Sequence, residues 1–291
     1  MRVLRPLTPR NMSASGRVPR LHVSQWDDTK HSSQPYLLEG IVSSWPAMSL
    51  WQPKTLMTRF STVLFAVGHE GDESITLAQA LEGSADPPPY IFDALFADAH
   101  PSLLHDYAAP APFPADGDFL AHLSTFAALR PRWRWLLAGR RGTGIGIHVD
   151  PHGTSAWNAL VVGSKEWALL PPSAAASVAL RGSSDELDDA AALRSAASWF
   201  EICAPKLRAD ATRVGLLECT QEAGDVLFIP AGWWHCARAL DAINIGVTHN
   251  FLDRRGFLKE EEALIARGVA GIDAARAWRG RLTDAGLLRE K

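Results

Sequence analysis

No apolar run in the sequence approaches the roughly 20 residues that cross a bilayer, and no membrane partner is expected. Neither sign of charge is in excess: 29 Lys and Arg stand against 32 Asp and Glu, a formal net charge of -3. A protein that coats nucleic acid needs a basic face, so direct nucleic-acid binding is not indicated. The balance does not exclude a basic peptide as substrate. Cysteine is scarce, with three in 291 residues. Cys203, Cys219 and Cys236 form no CxxC spacing, which argues against a zinc knuckle. The odd count, without a signal peptide, points to free thiols in a reducing compartment. Nuclear or cytoplasmic residence is the expectation, and an organellar transit peptide the minor alternative. No internal repeat and no dividing linker is present, and a 47% hydrophobic content suffices for one large domain.

Tryptophan, in contrast, is plentiful. Eleven occur, and Trp133, Trp135, Trp157, Trp233 and Trp234 lie close to the polar motifs. Residues 1–20 are arginine-rich, interrupted by Pro6, Pro9 and Pro19, and free of acidic residues, which reads as a disordered or targeting tail. Order is expected from Leu21. Tyr36–Leu38, Ser61–Val67, Tyr90–Asp93, Trp133–Leu137, Ala156–Val162, Lys165–Leu170, Val214–Glu218, Val226–Ile229 and Ala242–Thr248 read as strands. Lys54–Phe60, Ile75–Leu81 and Phe113–Leu129 read as helices. Residues 173–198, rich in Ala, Ser and Asp, look like an insert outside a barrel. From Phe257 the pattern is helical, and this 256–291 extension is a candidate dimerisation element or lid. Many short strands with Gly/Pro turns, helices at both ends and no βαβ alternation predict a mainly β fold with a double-sheet or jelly-roll core.

Chemistry concentrates around Gly144–Lys165. His148 and Asp150 sit two apart in an apolar run, a spacing that turns both to one face of a strand. Pro151 then ends the strand. An HxD pair alone is a weak signal. His235, delivered by the turn Ala231-Gly232-Trp233-Trp234 after a buried strand, supplies a second imidazole. Two histidines and one carboxylate on one face of a metal suit non-haem iron with three open positions. The same ligands with a bound water suit a zinc hydrolase. In a barrel, neighbouring strands bring Asn158, Lys165 and Thr248 towards one cavity. A cation at its far end suits a small dicarboxylate; on composition alone Lys165 is a solvated turn lysine.

Three segments carry a resemblance: His148–Leu160, Gly163-Ser164-Lys165-Glu166-Trp167, and Gly224–His235 with its Pro-x-Gly-Trp-Trp-His ending. Together they are similar to the core motifs of the JmjC-domain oxygenases, cupin-fold enzymes that use Fe(II), 2-oxoglutarate and O2. Tyr90-Ile91-Phe92-Asp93, Arg134-Trp135 and Thr248-x-Asn250-Phe251 resemble the branch containing the arginine demethylase and lysyl hydroxylase once described as a phosphatidylserine receptor. The similarity runs from about Leu21 to Phe251, and implies a double-stranded β-helix over 21–255 with an N-terminal α/β elaboration. It implies His148, Asp150 and His235 as iron ligands. Lys165, Asn158, Thr248 and Tyr90 would contact 2-oxoglutarate, and Trp135 would line the substrate entrance, with Asn250 on the cavity wall. The implied activity is lysyl hydroxylation or arginine demethylation of a protein or peptide, with histones and RNA-associated proteins as candidate substrates. The alternatives are a JmjC histone-lysine demethylase and a catalytically silent cupin scaffold. One departure stands out. Relatives carry a threonine three residues before the first histidine; that position is Ile145 here, and the nearest threonine is Thr143.

Overall fold

The computed structural model describes residues 16–68, 73–113, 118–122, 132–181, 195–266 and 268–288. Two sheets face each other. The smaller runs in the order β1 (Gly16–Arg17), β11 (Leu217–Glu222), β10 (Ser164–Leu170), β13 (Trp234–Ala239), β8 (Gly144–His148). The larger runs β2 (Arg20–His22), β3 (Tyr36–Glu39), β12 (Val226–Ile229), β9 (Ser155–Val162), β14 (Ile243–Phe251), β7 (Arg134–Arg140), β6 (Tyr90–Asp93), β4 (Leu64–Val67), β5 (Glu73–Thr76). The pairings are antiparallel except β1 with β11 and β2 with β3. This is the expected jelly-roll core with flanking helices.

Side-chain alternation sorts each central strand into two faces. On the larger sheet Leu136, Ala138, Trp157, Ala159, Val226, Phe228, Ile245 and Val247 point outward. They join the N-terminal helical residues Trp45, Trp51, Leu56 and Phe96 in the main apolar core. The inward set of both sheets meets in a second cluster, where Trp167, Leu169 and Ala237 of the smaller sheet pack on Leu37, Ala156, Leu227 and Ile229 of the larger. Gln221 ties the sheets together. Its amide donates to the carbonyls of Asn158 (2.8 Å) and Asp225 (3.1 Å) and its oxygen accepts from the Trp167 indole (2.8 Å). A fully buried amide that meets this many partners carries no desolvation penalty. Helices Ala176–Arg181, Ala196–Ile202 and Ala204–Ala209 cover the outer face of the smaller sheet through Trp199, Phe200 and Leu207, on Ile147, Ala168, Leu170 and Cys236. The ends of the Ala/Ser/Asp-rich insert thus lie outside the barrel, and residues 182–194 fall outside the described residues.

Order begins earlier than Leu21. Gly16–Arg17 extends the smaller sheet and Arg20–His22 the larger, with Val18 buried between the sheets. Arg20 fixes this crossing by donating to both Asp225 oxygens (3.0 and 2.9 Å), to Glu39 (2.8 Å) and to the Thr220 carbonyl (3.2 Å). A run of arginines and prolines reads as tail by composition, but its last residues obtain order from tertiary pairing. Val214–Glu218 also differs from expectation. Ala211–Val214 is helical, Gly215 reverses the chain at φ 71°, and the strand starts at Leu217. Of the expected helix Phe113–Leu129, the described part is helical at Phe119–His122. The C-terminal extension is a hairpin of helices, Arg254–Ala266 and Val269–Asp284. It packs through Phe257, Trp278 and Leu282 on Phe119, Leu120 and Leu252.

Candidate metal centre

β8 ends at His148, and Asp150 lies just beyond it in the turn, so the pair is not a strand-face pair as its spacing predicts. The ligands converge through pairing across the sheet instead. His148 stands directly opposite His235, and their ring centroids are 4.1 Å apart. Each imidazole is anchored the same way. His148 Nδ1 donates to the Gly146 carbonyl (2.9 Å) and His235 Nδ1 to the Trp233 carbonyl (3.0 Å). That fixes the tautomer and leaves both Nε2 atoms free to ligate. Both Nε2 atoms face one carboxylate: His148 reaches Asp150 Oδ1 at 3.7 Å and His235 reaches Oδ2 at 3.7 Å. This is too long for a hydrogen bond. It matches two donors sharing one first-row ion, roughly 3.0–3.7 Å apart for bonds near 2.1 Å. The three residues offer ligand atoms that all lie within 4.8 Å of one another.

The charges are mutually dependent. Burial works against a proton on His148, but Asp150 outweighs it and raises the pKa. Burial, reinforced by the His148 charge, pushes His235 down to about 4. Burial would raise Asp150, yet His235 and His148, and to a lesser extent the Asn250 amide, hold it below the ordinary carboxylate range. The centre is a carboxylate facing two imidazoles, of which His235 is readily neutral, and two nitrogens with one carboxylate are a donor set suited to a divalent ion.

Register places the remaining predicted residues on the two inward faces. Lys165 pairs with Ala239, four residues along β10 from Leu169, which pairs with His235. Lys165 therefore shares the face of His235, roughly 13 Å further along the strand. Asn158 stands opposite Thr248, and Thr248 opposite Trp135. Tyr90 stands opposite Gly139, where a Cβ would collide with the Tyr90 ring at 2.8 Å. Tyr90, Phe92 and Trp135 form a stacked ladder, with centroid separations of 6.3 and 5.4 Å. The Thr248 hydroxyl donates to the Trp157 carbonyl (3.0 Å), leaving its lone pairs to accept.

Two polar groups on these faces lack partners among the described residues. The Asn158 amide oxygen is buried and unpaired. Lys165 is 3% exposed with no carboxylate beside it, and burial drops its pKa to about 7. A buried polar group without a protein partner points to a ligand. A cation with a neighbouring amide fits the distal carboxylate of a dicarboxylic acid.

Sequence reasoning left the threonine open, and the geometry decides it. Between His235 and Ala237 the partner strand advances from His148 to Ile145, one residue more than β13. This bulge turns Ile145, not Thr143, to the side of Ala237 and His235. Thr143 is buried in the β7–β8 turn and donates to the Arg140 carbonyl at 2.7 Å. An apolar side chain thus replaces the expected hydroxyl. Asn250, expected on the cavity wall, donates to the Thr154 hydroxyl at 3.2 Å and helps to hold the Asp150 pKa down. It lies two residues beyond Thr248, on the same strand face, and the resemblance had marked it through Thr248-x-Asn250-Phe251.

A profile of the cupin-like domain matches residues 73–256. The lysine-specific demethylase JMJ21 of Arabidopsis thaliana is 32% identical over 253 residues, covering 84% of this chain and 26% of that protein. The bifunctional arginine demethylase and lysyl-hydroxylase psr-1 of Caenorhabditis elegans is 30% identical over 230 residues, covering 75% of this chain and 55% of the relative. The human 2-oxoglutarate and iron-dependent oxygenase JMJD4 is 31% identical over 158 residues, covering 52% and 34%. The chain therefore spans from about a quarter to just over half of these relatives' lengths.

Proposed function

The chain belongs to the cupin-like domain family, and on that footing we propose that it is an Fe(II)- and 2-oxoglutarate-dependent oxygenase acting on a protein side chain, by lysyl hydroxylation or arginine demethylation. One observation carries the reading. Two backbone-anchored imidazoles and one carboxylate converge on a point, and the strand face shared with His235 also carries, roughly 13 Å further along, a buried lysine with no counter-ion among the described residues. A zinc hydrolase accounts for the three ligands but leaves Lys165 without a purpose.

His148, Asp150 and His235 would hold the iron, and Lys165, Asn158, Thr248 and Tyr90 would hold 2-oxoglutarate. Bound together, these groups supply decarboxylation of 2-oxoglutarate to succinate and CO2, coupled to insertion of one oxygen atom of O2 into a C–H bond. The protein contributes position. Carbonyls of Gly146 and Trp233 fix the two imidazoles, Asn250 holds the loop after the carboxylate through Thr154, and the inward apolar residues around Trp167 and Leu227 keep water away from the chemistry. The Tyr90–Phe92–Trp135 ladder offers π-faces against which a cationic substrate side chain can rest. Histones and RNA-associated proteins are the substrate classes to try first. Cysteine usage supports a reducing compartment, nuclear or cytoplasmic.

Succinate formation with Fe(II), 2-oxoglutarate and O2 tests the reading. Wild type is expected to turn over, and His148→Ala to lose at least about 10²-fold. Peptide mass spectrometry then separates outcomes: lysine gains one oxygen, whereas methyl-arginine loses a methylene. No succinate from either protein leaves the scaffold, and turnover without 2-oxoglutarate leaves the hydrolase.

A further inference from the structure

The helix Arg254–Ala266 breaks its own pattern. Its buried stripe is Phe257, Glu260, Glu261 and Leu264, so two carboxylates occupy positions that should be apolar. Glu261 is matched within the hairpin by Arg279. Glu260, 5% exposed, turns instead to the loop that follows Asp150, where its Oε1 accepts from His152 Nδ1 at 3.1 Å. His152 is itself the one non-glycine residue with positive φ among the described residues, at 61°, and Gly153 follows at 62°. Two successive left-handed residues are an unfavourable backbone that its surroundings must hold in place.

Those surroundings are the C-terminal hairpin. A Cβ on Gly256 would stand 2.5 Å from the Gly153 carbonyl oxygen, and one on Gly153 would stand 3.1 Å from the Gly256 oxygen. The helix backbone therefore lies flat against the loop. At its other end Thr154 closes the loop by donating to the Pro151 carbonyl (2.7 Å) and ties it to the barrel by accepting from Asn250 on β14 (3.2 Å). Asp150 stands two residues before the first of these fastenings, at the start of the loop they hold.

We propose that the C-terminal hairpin is part of the metal-holding apparatus, with Glu260 and His152 as positioning residues that set the Asp150 carboxylate. Neither touches the ligand cluster; both act through the loop 150–154. The proposal rests on the metal-centre reading above.

The test uses the full chain and Co(II) as probe, read by its d–d absorption in a titration, with circular dichroism and thermal midpoints alongside. Glu260→Ala removes the acceptor, and His152→Asn removes the imidazole while tolerating the left-handed backbone. Each is expected to weaken Co(II) binding about fivefold, the equivalent of one lost hydrogen bond, and to alter the d–d band. Glu260→Gln, whose amide oxygen can accept the same N–H, is expected to restore both. Wild-type affinity and band in the two disruptive variants, whatever their midpoints, would overturn the proposal. If Glu260→Ala does not fold, His152→Asn and Glu260→Gln decide. A folded wild type that binds no Co(II) overturns the metal centre itself, an outcome distinct from unaltered binding in the variants.

Discussion

Lys165 points its ammonium group between two sheets where no carboxylate meets it, and burial alone brings its pKa to about 7. Its folded-state pKa lies below the free value, so the unfolded chain holds this proton more tightly between about pH 7 and 10.4, and the residue opposes folding below that window. Lys165→Met is therefore expected to raise the thermal midpoint of the metal-free protein by about 2–4 °C or more, while abolishing 2-oxoglutarate-dependent turnover. A residue whose removal stabilises the fold and ends the chemistry is kept for the ligand. The pH dependence follows. The anion pairs with the charged form, so 2-oxoglutarate affinity should hold below pH 7 and weaken as pH rises above it, by up to tenfold per unit. Calorimetry in buffers of different ionisation enthalpy should show proton uptake on binding at pH 8. An affinity flat from pH 6 to 9 would refute this role for the lysine.

At the scale of elements, the distance between His148 and His235 is set by one strand pair at the edge of the smaller sheet. Among the described residues β8 has β13 on one side and no strand on the other. Gly144 permits the approach, because a Cβ there would drive into the Ala237 carbonyl. Gly144→Ala should force β8 away from β13, costing about 2–4 kcal/mol of stability and weakening metal binding disproportionately. Gly142, two residues earlier, has φ 85° and open space around it. Gly142→Asn should change stability by less than about 1 kcal/mol. Thermal denaturation and Co(II) titration of both check this, and wild-type Co(II) affinity in Gly144→Ala would separate the histidine spacing from this strand pair. The bulge before His148 shows where strand-level reading stops. A one-residue shift changes which side chain faces inward, and nothing in Gly-Ile-Gly-Ile says which register will be used.

Across the whole molecule, burial of neutral histidines ties the fold to pH. His249 lies on the outward face of β14 between Thr248 and Asn250. It is hydrogen-bonded to the Tyr107 hydroxyl (2.8 Å) and stacked on Trp157 at 4.2 Å. Burial first, then the Arg134 charge, holds its pKa well below the ordinary value. Below about pH 6.5 the unfolded imidazole takes up a proton that the folded one refuses, so stability falls as pH falls, by up to about 1.4 kcal/mol per unit. The thermal midpoint should drop between pH 6.5 and 5, and His249→Gln should flatten the slope. An unchanged slope in that variant would mean that other groups carry the acid sensitivity.

Much of this organisation was legible beforehand because it is local. Period-two alternation and Gly/Pro turns mark the central strands, and the family motifs in the sequence mark His148, Asp150, His235 and Lys165. What was hidden depends on contacts distant in sequence: His152 with Glu260, Asn250 with Thr154, and the order of Gly16–Arg20, which comes from partners some 200 residues away. No window of sequence contains both halves of such a pair.

The N-terminal crossing described above has a further effect. Gly16–His22 leaves one sheet and joins the other within seven residues, and in each it becomes the last strand on its side. The backbone of β3 and β11 would otherwise offer long rows of open amides to a neighbouring molecule, the usual template for edge-to-edge association. Instead the exposed borders are two and three residues long and carry Arg17 and Arg20. The same short segment that closes the barrel thus replaces one open edge of each sheet, among the described residues, with a border that is brief and charged.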